Sequence, residues 1–262
     1  MLCDGGHAPM HVRSRRHWLI PLGMPTETRM RLFCFPPAGS GTVAYRAWAP
    51  LAAPGVEISV VLLPGRETRF AEAPIDDMAE LASQIAGAIA LFAGQPFAFF
   101  GHSLGALLAY EVARRLAAEG YPPEHLFASG HQAPAIPSRR APIAHLPDAA
   151  FIQGLIDLGG TPREILDAPE LLALLTPMLR ADFALAERYV APSGPRLPCP
   201  VTALGGAEDP WVDAAGLEAW RHVTAAAFER VILPGDHFYL TPARSMLLDR
   251  INASLTRCLA VD

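Results

Sequence analysis

From residue 30 onward, short apolar runs alternate with segments whose apolar residues recur at helical spacing. Positions 31–35, 57–63, 97–100 and 125–129 read as strands, and 43–53, 78–92 and 104–119 read as the helices between them. The rhythm stops between about 139 and 195. There no strand-like run occurs; Phe151, Leu155 and Leu158 share one helical face, and Leu171, Leu174, Leu175, Leu179 and Phe183 make a second stripe, interrupted by Pro177. Strand and helix then resume at 200–204, 214–221, 228–233 and a closing helix from about 242 to 259. Strands alternating with helices predict a mostly parallel sheet covered on both faces, and the interruption at 139–195, flanked by proline-rich joints, predicts a helical insertion. Residues 1–29 show no period and read as an irregular extension ahead of one domain spanning 30–262.

Composition narrows the class. With 262 residues, 51% hydrophobic and 18% charged, the chain is rich enough in apolar side chains for a large core. Its formal charge of −5, with every fixed cation an arginine, offers no basic patch of the kind nucleic acid needs. No apolar run reaches membrane-spanning length, and the stretch after Arg15-Arg16 is broken by Pro21, so neither a bilayer anchor nor an export signal is expected. Four separated cysteines, Cys3, Cys34, Cys199 and Cys258, carry no metal-binding spacing; a metal-free cytoplasmic protein with reduced thiols, expected as a monomer, is the reading.

The chemistry concentrates at Gly101-His102-Ser103-Leu104-Gly105, an apolar strand turning directly into a helix. This is the G-x-S-x-G elbow in the context it requires, with small residues two places either side of a serine on a strained turn. A serine hydroxyl needs a neighbouring base. His237, in the loop between the last strand and the closing helix, suits that role, and Asp209, just after the strand at 200–204, suits the acid that orients it. Asp213 and Glu208 are the alternatives for the acid. One oxyanion donor is expected at the N–H of Leu104. The other belongs to the loop after the first core strand, where Pro36 and Pro37 have no N–H and Ala38 is the first that can donate. His102 is expected to point away from Ser103 and act structurally. Gly39-Ser40-Gly41 does not complete a phosphate-loop pattern, and Asn252, in a helix, is set aside as a glycosylation acceptor.

Five segments in this order and spacing, RLFCFPPAGS at 31–40, VLLPGRETRF at 61–70, GHSLGA at 101–106, GGAEDP at 205–210 and PGDHFYL at 234–240, resemble the type II thioesterases of polyketide and nonribosomal-peptide assembly lines. The resemblance implies an α/β-hydrolase fold with a mobile lid at 139–195. It further implies an editing enzyme that frees stalled acyl groups from the phosphopantetheine arm of acyl or peptidyl carrier proteins, with no cofactor of its own. The triad and oxyanion roles carry over to Ser103, Asp209, His237, Ala38 and Leu104. One departure is Pro37, where many members have histidine. Arg66, Arg69 and His131 are candidate contacts for the pantetheine phosphate at the entrance, with solvated loop residues as the alternative. The same elbow would serve a carboxylester hydrolase; a non-catalytic carrier-binding module would be expected to lack a triad residue.

Overall fold

The computed structural model describes residues 17–23 and 27–260. Seven strands form one sheet: β1 (Leu19–Pro21), β2 (Met30–Phe35), β3 (Val56–Val61), β4 (Phe97–His102), β5 (Leu126–Ser129), β6 (Val201–Gly206) and β7 (Phe228–Leu233), in spatial order β1-β3-β2-β4-β5-β6-β7. All neighbours run parallel except β1, which is antiparallel to β3. Both faces are covered because both sets of alternating side chains are apolar. On β2, Phe33 and Phe35 face one core layer while Met30, Leu32 and Cys34 face the other; Phe97 and Phe99 divide from Ala98 and Phe100 in the same way on β4.

The first layer packs α1 (Met78–Ile89) and α2 (Leu104–Ala118) against the sheet, and the second packs the closing helix, α7 (Arg244–Leu259). Asp77 caps α1, its carboxylate accepting from the Glu80 N–H at 2.8 Å. Between β5 and β6 lie α3 (Asp148–Leu158), α4 (Arg163–Leu166) and α5 (Pro169–Glu187), and α6 (Ala214–Glu218) follows β6. Helices α3 and α5 share a small apolar core of Phe151, Leu155, Met178 and Leu179, separate from the two main layers.

Three expectations need correction. The extension 1–29 is not irregular throughout. Residues 19–21 form the edge strand β1, anchored by the buried Trp18 and Leu19, and three residues are too few to show a period. The helix expected at 43–53 is two 3₁₀ turns, Thr42–Ala44 and Arg46–Leu51, the second containing Pro50. Tyr45 and Trp48, three residues apart and fully buried, fit the three-residue turn that brings i and i+3 to one side. Finally, α5 continues through Pro177 instead of breaking there.

Candidate active site

Ser103 stands between β4 and α2 with φ 55° and ψ −120°, a conformation side-chain-bearing residues rarely adopt. The crowding around it explains the flanking glycines. A Cβ on Gly101 would lie 2.0 Å from the Gly105 carbonyl oxygen, and one on Gly105 would lie 2.1 Å from that of Phe35. The turn is pinned by the Ser103 N–H, which donates to the Ser129 carbonyl on β5 at 2.8 Å.

The loop after β7 brings His237 to the serine: its Nε2 is 3.2 Å from Ser103 Oγ, and its Nδ1 is 2.7 Å from Asp209 Oδ2. The Asp209 side chain is fully buried. Its other oxygen accepts from the backbone N–H groups of Trp211 at 2.9 Å and Val212 at 3.2 Å, which fixes the carboxylate plane. Asp213 does something else. It caps α6, accepting from the Gly216 N–H at 2.7 Å, and pairs with Arg139. Glu208 joins neither group, so of the three candidate acids Asp209 alone meets the imidazole.

Ser103 and His237 open into a chamber of about 390 Å³. Its floor is the elbow and the 37–40 loop; its roof is Leu155, Leu158, Ile165, Leu175, Met178 and Phe183 from the 139–195 segment. A larger groove of about 660 Å³, between α1, α2 and the end of α5, contains none of these groups and carries both signs of charge. The N–H of Ala38 has no protein acceptor among the described residues and borders the chamber. Leu104 opens α2, so its N–H is one of those a helix cannot satisfy internally. Among the described residues neither N–H has a protein acceptor.

The phosphate-contact expectation for Arg66 and Arg69 is corrected. Arg66 is buried and grips Asp182 of α5 through both of its terminal nitrogens, at 2.9 and 2.7 Å, while also donating to the Ser40 carbonyl at 2.8 Å. Arg69 pairs with Glu72, donates to the Leu62 carbonyl at 2.8 Å and lies 3.8 Å over the Trp18 ring. Between them Glu67 accepts from the N–H and hydroxyl of Thr42, at 2.7 and 2.8 Å. This stretch therefore buckles the 37–40 loop to the insertion, and its cations are spent. Asp182 completes the buckle by accepting from the Gly39 N–H at 2.8 Å, next to Ala38. Removing one partner of a buried pair strands the other charge. Asp182→Ala is expected to cost about 3–5 kcal/mol of stability in urea titration. A loss under about 1 kcal/mol would show that the pair is not structural.

His131 lies outside the chamber lining. Its Nδ1–H donates to the Gln132 carbonyl at 2.7 Å, and burial pushes its pKa down to about 4, which leaves the ring neutral at pH 7. It borders a neighbouring groove of about 330 Å³ with Arg140 and Trp211. Those two, with Phe238, were not singled out from the sequence. Trp211 and Phe238 stand edge-on to His237 at 4.9 and 5.4 Å between ring centroids, and the Arg140 guanidinium lies 5.4 Å over Trp211. An aromatic two residues after Asp209, and another directly after His237, are the available signals.

Among the described residues no group of three or more His, Cys, Asp or Glu is placed to hold a metal ion, and no helix is long and apolar enough to cross a membrane.

Residues 30–255 match the family described as "Thioesterase domain". The chain is 41% identical over 249 residues to linear gramicidin dehydrogenase LgrE of Brevibacillus parabrevis, covering 94% of each. It is 37% identical over 244 residues to the gramicidin S biosynthesis protein GrsT of Aneurinibacillus migulanus, covering 93% of this chain and 95% of that one. Among solved structures, YbtT, a type II thioesterase from a yersiniabactin biosynthetic pathway, superposes with a TM-score of 0.83 at 32% identity, covering 92% of this chain and 98% of the other. With its parallel sheet, serine elbow and buried Ser103–His237–Asp209 constellation, the chain belongs to the thioesterase family and has the α/β-hydrolase fold.

Proposed function

We propose that this protein is a stand-alone editing thioesterase. It would hydrolyse acyl groups from the phosphopantetheine arm of acyl or peptidyl carrier proteins in nonribosomal-peptide or polyketide biosynthesis. The single observation that carries the reading is the unbroken line from Asp209 through His237 to Ser103 at the floor of an apolar chamber. Its match to GrsT and YbtT, biosynthesis proteins by name, supports the pathway.

The chemistry uses this chain's own groups and water. His237 Nε2 takes the Ser103 proton as Oγ attacks the thioester carbonyl, and Asp209 stabilises the imidazolium that results. The N–H groups of Ala38 and Leu104 receive the oxyanion. Collapse expels the thiolate, which takes the proton back from His237 and leaves an acyl ester on Ser103. A water molecule then attacks that ester as His237 takes its proton, and collapse passes that proton from His237 to the departing Ser103 Oγ, releasing the acid and restoring the hydroxyl. A dehydrogenase activity, suggested by the name of one relative, fits less well: the glycine loop at 39–41 runs into the 3₁₀ turns Thr42–Ala44 and Arg46–Leu51, not into an α-helix whose N-terminus could receive a dinucleotide's pyrophosphate.

The insertion 139–195 acts as the lid over the acyl chamber. The Asp182 buckle ties α5 to the core, and Leu185 lies in the first core layer, while α3 packs on α5 through Phe151 and Leu155. The turn between α3 and α4 meets the histidine loop where Gly160 faces Phe238.

Substrate class is tested by measuring kcat/KM for one acyl group presented as an acyl-carrier protein, an acyl-pantetheine and a p-nitrophenyl ester. The carrier substrate is expected to lead the ester by at least about tenfold, a preference of some 1.4 kcal/mol. An ester preferred over both thioesters would favour a small-molecule esterase.

A further inference from the structure

Behind the catalytic histidine runs a second line of hydrogen bonds that the reaction itself does not use. His102 Nε2 is 3.0 Å from the backbone carbonyl oxygen of His237, and His102 Nδ1 is 2.8 Å from Ser129 Oγ, which in turn meets the hydroxyl of Tyr239. All are buried, with Ser129 and Tyr239 fully enclosed. A carbonyl can only accept, so the chain has one direction. His102 carries its proton on Nε2 and donates it to His237; Nδ1 then accepts from the Ser129 hydroxyl, and Ser129 accepts from Tyr239. The ring fills the space that a side chain at 130 would need: a Cβ on Gly130, which adopts φ 61°, would lie 2.4 Å from its Cε1. Burial lowers the His102 pKa well below the usual range, which keeps the ring in the neutral form the chain requires.

The two ends of this line belong to the same loop. Tyr239 is two residues beyond His237, so the histidine loop is stapled twice, through its backbone at 237 and its side chain at 239, to the ends of β4 and β5 next to the serine elbow. His102 also precedes Ser103 directly, which couples the position of the base to that of the nucleophile.

We propose that His102, relayed from Tyr239 through Ser129, is a positioning residue that sets His237 at proton-transfer distance from Ser103 by holding the His237 peptide. This rests on Ser103, His237 and Asp209 being the hydrolytic triad. A fixed orientation is worth much in rate because proton transfer tolerates little displacement, whereas it contributes nothing to holding the acyl chain.

The test compares two substitutions that each keep one of the two ring contacts. The Gln side-chain amide reaches the place of Nε2, so His102→Gln retains donation to the His237 carbonyl. The shorter Asn amide reaches the place of Nδ1, so His102→Asn retains only the Ser129 contact. Expected for acyl-pantetheine hydrolysis is a kcat within about threefold of wild type for Gln and reduced about 30-fold or more for Asn, with KM within about twofold in both. A purely structural role would weaken both variants alike; equal kcat losses, or the reverse order, would overturn the proposal. Tyr239→Phe, which preserves the ring and its packing, provides a second reading if either histidine variant fails to fold. Its kcat should fall about three- to tenfold at constant KM, and an unchanged kcat, or a change confined to KM, would contradict the relay. Ser103→Ala, run alongside, separates this question from the first: activity surviving that change would defeat the triad itself, whatever the His102 variants did.

Discussion

Ser103→Ala is expected to reduce thioester turnover by about 10⁴-fold or more while the protein keeps its fold. The size follows from what the hydroxyl does. It is the only atom at the elbow that can form the acyl ester, so its removal leaves just the oxyanion donors and substrate binding to accelerate direct attack by water. The small structural effect follows from its surroundings. Ser103 is held through its backbone N–H, and among the described residues its Oγ has a single protein partner, His237 Nε2 at 3.2 Å. Alanine keeps the same Cβ, so the strain of φ 55° is unchanged. Residual kcat above about a tenth of wild type, in a variant with unaltered thermal unfolding, would remove Ser103 from the mechanism.

Asp209→Asn should lower kcat by about 10³- to 10⁴-fold with little effect on folding. The backbone N–H groups of Trp211 and Val212 both donate to one carboxylate oxygen, and asparagine would keep its carbonyl oxygen there. Its amide nitrogen is then forced to face His237 Nδ1. Two donors cannot meet, so the imidazole turns over to the tautomer with its proton on Nε2, where it cannot accept the proton of Ser103. Asp213→Asn tests the specificity of that argument. It keeps the α6 cap and loses only an exposed ion pair with Arg139, so kcat within about twofold of wild type is expected. The opposite ranking of the two variants would assign the acid to the wrong residue.

The parts of this site that the sequence makes legible are those with a local chemical requirement. The elbow needs Gly101 and Gly105 because backbone oxygens sit about 2 Å from where their Cβ atoms would lie. Asp209 and His237 follow because each occupies the loop immediately after a strand, where a parallel sheet delivers side chains to one edge. The arginines at 66 and 69 show the converse. Near the active edge they look available; the Arg66 charge is met by Asp182, 116 residues away, and the Arg69 charge by Glu72 on the next turn. His102 illustrates both limits: alternation along β4 correctly turns it away from Ser103, yet its partners at 129, 237 and 239 come from separate strands and loops that only the folded sheet unites. Residues 19–21 and the 3₁₀ turns at 42–51 escape pattern reading because their periods are too short or of the wrong length.

The central claim is that the acyl group passes through an ester on Ser103. It is tested most directly by mixing the enzyme with an acyl-carrier substrate, quenching in acid during the first turnovers and weighing the intact protein, then mapping the adduct by proteolysis. The account expects a mass increase of one acyl group on the peptide containing Ser103 and none in Ser103→Ala. Acid released at full rate with no adduct, or an adduct on any other residue, would contradict it.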